Sequence, residues 1–169
     1  MTTRRRFWTI VLLLVLFLAA FIPRAVYPVS RPLQWYERSF RFIDAVFRGQ
    51  WADTVVSEHP GVTPMVLIGS AQHAYYALLK ALGTSPQHPL DIAGRAFRAE
   101  VAVSILPLAL AIALGVLVVW WLLRELFGEA VAWAGAGLLA LDPFHIAISK
   151  VVHVDALLSV LMILSALTL

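Results

Sequence analysis

A carboxylate, an imidazole and a hydroxyl stand within seven residues in the stretch Ser57-Glu58-His59-Pro60-Gly61-Val62-Thr63-Pro64-Met65. Glu58 and His59 are side chains that can take or give a proton at a reacting hydroxyl, the work of general acid–base catalysis. Pro60 fixes its own φ and biases His59 away from helix, so both side chains sit at a turn. A reactive loop has this form, and so does a plain turn at a membrane interface. The residue types alone leave both readings open.

A second polar cluster runs from Ser149 and Lys150 through His153 to Asp155. Along a helix, Lys150, His153 and Asp155 share a face only in part, so a compact metal triad is not expected, and no metal is assigned. The histidines at 59, 73, 88, 145 and 153 show none of the short spacings of a metal-binding helix. Ionisable groups at membrane depth are functional candidates. The competing reading is that Lys150 and His153 reach out to lipid headgroups. Arg95 and Arg98 precede a long apolar run; an arginine there either grips a lipid phosphate through charge-assisted bonds or anchors the helix at the interface.

These residues depend on apolar segments to position them. The 169-residue chain is 61% hydrophobic and only 14% charged, with a mean hydropathy of +0.84, well outside the soluble range. It contains no cysteine, which excludes disulfides and thiolate metal sites. The formal charge of +3 comes from cations scattered at segment ends, where they meet phosphate headgroups. No nucleic-acid partner is expected.

Arg4-Arg5-Arg6 precedes an uncharged run from Phe7 to Ile22. This predicts a retained first span over 7–22 with a cytoplasmic amino terminus; a cleaved signal peptide is the rival. Residues 23–98 hold most of the charges, with five of the nine prolines between Pro23 and Pro64, and interfacial aromatics at Tyr27, Trp35, Tyr36 and Trp51. Within them the spacing predicts an amphipathic helix from Trp35 to Phe47, lying along the membrane surface and capped by Gly49. Met65 to Leu82 reads as a re-entrant or short spanning helix, and Thr84 to Arg95 as a loop. Further spans are predicted over 101–123, with Pro107 as a kink, and over 130–148, broken near Asp142-Pro143. The 130–148 segment is rich in small residues at Ala134-Gly135-Ala136-Gly137, which suits close helix packing. Another apolar segment begins at 154 and runs to 169. The expected fold class is an all-α, polytopic transmembrane helical protein, forming a single membrane domain over 1–169 with a large first outer loop.

Taken in order, the motifs resemble the protein O-mannosyltransferase and aminoarabinose-transferase branch of the C-type membrane glycosyltransferases. The likeness lies in Trp35-x-x-Arg38-Ser39-x-x-Phe42, Gly49-x-Trp51-x-x-Thr54 and His59-Pro60-Gly61-Val62-Thr63-x-Met65. It continues in Arg98 ahead of a Pro107-containing helix, and in Leu139 to Asp155 with Asp142-Pro143-x-His145 and Ser149-Lys150 inside it. The resemblance implies a multi-spanning enzyme that moves a sugar, mannose or another hexose or pentose, from a polyprenyl-phosphate donor. The acceptor is a protein, lipid or glycan on the outer or luminal face, reached with inversion. It implies a general-base carboxylate in the first outer loop and basic residues on the donor phosphate. No cofactor is implied, since the lipid-linked sugar is a substrate.

Two departures stand out. The family carries an Asp-Glu pair where this chain has Arg31 and Pro32, so Glu58 is the replacement candidate, with Glu37 and Asp53 behind it. Arg98, Lys150 and His153 are the candidate phosphate contacts, and Glu58 and His59 the candidate catalytic residues. The chain also offers fewer spans than such enzymes have, and reads as the amino-terminal portion of one. The alternative is a non-catalytic membrane protein on the same scaffold that binds lipid phosphate or a partner.

Overall fold

A computed structural model describes residues 3–29, 34–56, 61–84 and 95–169, except for the side chains of residues 3 and 95–98. These residues are mainly helical, with a single two-residue parallel bridge between Val29 and Val151. The helices are α1 (Thr3–Ala25), α2 (Gln34–Phe47), a 3-10 turn (Trp51–Thr54), α3 (Val62–Ala81), α4 (Arg95–Phe127), α5 (Glu129–Leu141), α6 (Pro143–Ser149) and α7 (Asp155–Thr168). By length and composition, Arg4–Ala25 and Ala99–Phe127 are apolar enough to cross a membrane. A third candidate is the bent pair Glu129–Leu141 and Pro143–Ser149. Both long spans outrun their sequence limits, because Pro23 and the flanking arginines sit inside helix rather than ending it.

The chain divides into two compact units, and α4 contributes its first part to one and the remainder to the other. The first unit takes in residues 1–26, 109–149 and 155–169. Its centre is a ridge of alanines on α5 (Ala132, Ala136 and Ala140), each fully buried and four residues apart. Side chains that small let helix backbones approach closely. Leu16 and Ala20 of α1 and Ala113, Val116 and Trp120 of α4 complete the cluster. Glycine serves the same purpose at 115, where a Cβ would stand 2.5 Å from Val160 Cγ1 of α7. Along α1 only 11% of the apolar window is buried, leaving Phe7, Trp8, Ile10 and Leu14 outward-facing, as a lipid-exposed helix requires.

The 130–148 segment breaks where the sequence places Asp142-Pro143. The two halves meet at 51°, because Pro143 has no N–H to continue α5 and fits the first turn of α6. Asp142 Oδ1 accepts the N–H groups of Phe144 (2.7 Å) and His145 (3.0 Å), capping the new helix. The carbonyls stranded at the end of α5 are met by Arg24, which is fully buried and bonds to Leu139 and Ala140 oxygens. Arg5 and Glu129 also pair at 2.7 Å; exposed on both sides, that pair contributes at most about 1 kcal/mol.

The second unit comprises residues 27–108 and 150–154. Here α2 and α3 pack face to face. The apolar stripe of α2 (Trp35, Tyr36, Ile43) is buried against Met65, Ile68 and Gly69 of α3. The amphipathic helix expected over 35–47 is present, but its apolar face is taken up by α3 rather than left open for a bilayer. Gln72, buried on α3, donates to Ser104 Oγ of α4 at 3.1 Å and leans on the Tyr36 carbonyl of α2 at 3.4 Å. His73 stacks on Phe40 with ring centroids 4.3 Å apart. The segment 150–154 joins by backbone pairing, with the Val29 N–H donating to the Lys150 carbonyl at 2.9 Å.

Candidate functional site

The polar face of α2 carries Glu37, Arg38, Arg41 and Asp44, spaced so that they share one side of the helix. What turns this face into a site is the reversal that follows it. Gly49 adopts φ +70°; its N–H bonds to the Val46 carbonyl (3.1 Å) and that of Gln50 to the Ala45 carbonyl (2.9 Å), a glycine cap of the kind expected from sequence. The chain then folds back as the 3-10 turn, fixed by Asp53 N–H to the Gln50 carbonyl (3.0 Å) and the Thr54 hydroxyl to the Trp51 carbonyl (2.7 Å).

Between α2 and the returning chain lies an open, mainly polar groove of about 710 Å³. Glu37, Arg38, Arg41 and Asp44 line one wall and Gln50, Asp53 and Val56 the other. The charges are not equally engaged. Arg41 pairs with Glu37 one turn away, and Arg48 with Asp44 at 3.1 Å. Asp53 makes no ion pair among the described residues. Arg38 lies over the Trp35 ring at 5.7 Å, a cation–π contact that engages the face of the guanidinium and leaves its N–H donors clear of any described carboxylate. Among the described residues the groove therefore offers one carboxylate and one guanidinium outside any ion pair. That pairing suits a ligand with hydroxyls to accept from and an anionic group to hold.

Trp35 ties this groove to the rest of its unit. The ring is buried, and His153 meets it edge-on with centroids 5.2 Å apart and planes at 79°. Gly61 lies close by as well; a Cβ there would fall 2.8 Å from Trp35 Cζ3 and 2.9 Å from Val154 Cγ1. The Ser39 hydroxyl closes the first turn by donating to the Trp35 carbonyl at 2.6 Å. Burial also raises the Tyr36 phenol above its ordinary ionisation range, so this neighbour of the groove stays neutral.

Of the residues that the sequence points to, Glu58 and His59 lie outside the described residues. Arg98 belongs to the first turn of α4, with its side chain outside the description. Lys150 and His153 fall in the same unit as the groove; Lys150 bonds through its backbone to Val29 and His153 packs on Trp35. Asp155 opens α7 in the other unit. Glu37 and Asp53, the reserve bases, are brought to opposite walls of one groove. Arg41 is a groove residue that the sequence reading passes over, and Arg38 enters it only within the Trp35-x-x-Arg38 motif, although their helical spacing beside Glu37 and Asp44 carries the signal.

Compared with known protein families, with curated proteins and with solved structures, the chain has no match in any of the three.

Proposed function

We propose that this chain belongs to a multi-spanning membrane glycosyltransferase, with a cytoplasmic amino terminus. It takes a sugar, mannose or another hexose or pentose, from a polyprenyl-phosphate donor and passes it to a protein, lipid or glycan acceptor on the outer face. The observation that carries this reading is the groove between α2 and the 3-10 turn. There Asp53 and Glu37 share a polar cavity with Arg38 and Arg41, in a chain with two helices long and apolar enough to cross a membrane.

Transfer to a hydroxyl needs a carboxylate within hydrogen-bond reach to remove its proton as the new glycosidic bond forms. Glu58 is the first candidate, flanked in sequence by the groove wall at Val56, and Asp53 the second because no described cation neutralises it. Glu37 ranks third, since Arg41 already holds its charge. His59 serves as an acid–base neighbour of Glu58. Release of the sugar leaves charge on the polyprenyl phosphate, which Arg98, Lys150 and His153 are positioned in sequence to bind.

A second reading has its own observation. Two of the groove's carboxylates, Glu37 and Asp44, are engaged in one-turn pairs, as on a helix whose polar face is purely structural. In that reading the scaffold binds lipid phosphate or a partner without chemistry. Reconstitution with radiolabelled polyprenyl-phosphate hexose separates the two. Transfer abolished by Glu58→Gln or Asp53→Asn supports the enzyme; donor binding without transfer, unchanged by either substitution, supports the scaffold.

A further inference from the structure

The α5–α6 break holds a buried polar chain that the proposed chemistry does not use. Arg24 Nη1 donates to the carbonyls of Ala20 (2.7 Å) and Ala140 (2.8 Å). Its Nη2 reaches the Leu139 carbonyl (3.1 Å) and His145 Nδ1 (2.9 Å). On the far side of the ring, His145 Nε2 lies 2.9 Å from Ser159 Oγ and 3.2 Å from the Ala156 carbonyl. Arg24, Ala140 and Ala156 are nearly or fully buried, and His145 is 6% exposed. One imidazole thus connects α1 to α7 through the first turn of α6.

A guanidinium offers donors and no lone pair. Nδ1 of His145 must therefore accept, which puts the single proton of the neutral ring on Nε2. The Ser159 hydroxyl donates onward to the Ala156 carbonyl at 2.9 Å, leaving its oxygen lone pairs to receive that Nε2–H. Every link in the chain then has one donor and one acceptor.

We propose that this chain is a proton-sensitive latch, closed only while His145 is the neutral Nε2–H tautomer, and opened when Nδ1 takes up a proton. Protonated, Nδ1 becomes a donor facing another donor at 2.9 Å, and the imidazolium lies against a permanent cation away from water. The packed elements give little to offset this. α1 presents Arg24 itself. The α5–α6 junction presents Asp142, whose Oδ1 already accepts two backbone N–H groups. α7 presents the Ser159 hydroxyl, with Asp155 at its first position. The remaining charged residues of α1 and α5 (Arg4, Arg5, Arg6 and Glu129) lie at the opposite helix ends. The imidazolium therefore leaves its place, and the α5 carbonyls lose the bridge that ties them to α7.

The unfolded chain takes up this proton in the ordinary imidazole range, near pH 6.5. That proton takes the lone pair that holds Arg24 Nη2, so acidification below that value is expected to open the latch and lower stability. The whole chain, labelled with ¹⁵N-histidine and held in lipid nanodiscs, provides the test. At pH 7.5 the His145 ring, identified by its shift in Ser159→Ala, is expected as the Nε2–H tautomer. Between pH 7 and 5 the unfolding midpoint is expected to drop by about 5 °C or more, while His145→Gln, which cannot titrate, stays flat. An Nδ1–H tautomer at neutral pH, or an acid-induced loss that His145→Gln shares in full, overturns the proposal. Should His145→Gln fail to fold, the wild type decides alone. Imidazole protonation that coincides with the midpoint loss supports the latch, and protonation without it overturns the latch.

Discussion

A Cβ on Gly69 would stand 2.2 Å from the carbonyl oxygen of Ser39 and 2.6 Å from Ile43 Cγ1. The backbone of α3 therefore touches the backbone of α2, with no side chain between them. A backbone oxygen cannot swing aside as a side-chain end can, so Gly69→Ala must push the two helices apart. The expected cost is about 3 kcal/mol, at or above the upper end for overpacking a core. Gly137→Ala is the contrast, because a Cβ there would meet nothing within 4 Å. Relieving a glycine inside a helix should leave stability unchanged or raise it by up to about 1 kcal/mol. Thermal unfolding of both variants in the same detergent checks the pair.

Removing Arg24 should harm the first unit more than removing any exposed arginine. Arg24→Leu strands the carbonyls of Leu139 and Ala140 and the Nδ1 lone pair of His145. Unpaired buried acceptors of this kind cost about 1–3 kcal/mol each. Arg5→Leu breaks only the exposed pair with Glu129 and should cost less than about 1 kcal/mol. Chemical denaturation of the two variants side by side measures the difference.

Within the groove, Asp53→Asn and Glu37→Gln should separate under the glycosyltransferase reading. If Asp53 is the base, its amide lowers transfer by roughly 10²- to 10⁴-fold, the usual contribution of general base catalysis. Glu37→Gln frees Arg41 from its partner and should act chiefly on substrate binding. The two are told apart by measuring turnover and apparent affinity for the donor. Glu58→Gln belongs in the same series, as the leading base from sequence.

Tyr36 should ionise only above the ordinary range of a phenol. Burial raises its phenol above the ordinary value, and its hydroxyl donates to the Val29 carbonyl at 3.3 Å. A phenol raised on folding favours the folded state below the unfolded value, near pH 10, and that advantage disappears as the pH climbs further. The melting temperature should therefore fall more steeply above about pH 10, and Tyr36→Phe should flatten that fall. Ultraviolet titration of the folded wild type against Tyr36→Phe isolates the Tyr36 phenol and checks its shift.

The helical skeleton is largely legible from sequence. Hydropathy locates α1 and α4, the 3.6-residue period locates α2, Gly49 marks its end and Asp142-Pro143 marks the break before α6. These are local signals, carried by residues whose backbone chemistry allows few alternatives. The pairing of surfaces is not legible. The apolar face of α2 reads the same whether a bilayer or α3 covers it, and only the close approach at Gly69 distinguishes them. Likewise Arg24 reads as a flank ending an apolar run. Its burial depends on carbonyls exposed by a helix break more than a hundred residues downstream, which no local pattern contains. The groove is partly legible: Glu37 and Asp53 stand out as carboxylates, but the turn that brings them to facing walls is a property of the folded chain.

The bridge between Val29 and Val151 sets an order of events during synthesis. Its two strands of backbone belong to one unit, yet α3, α4, α5 and α6 must all be made before Val151 emerges to meet Val29. Until then the edge at Val29 waits for that partner, and Trp35 lacks the His153 ring that later packs on it. The second unit is therefore completed late, by a segment that arrives after most of the first unit's helices have been produced. A ribosome stalled before Lys150 would carry a chain in which α1 to α5 can all be present while this closure is still missing.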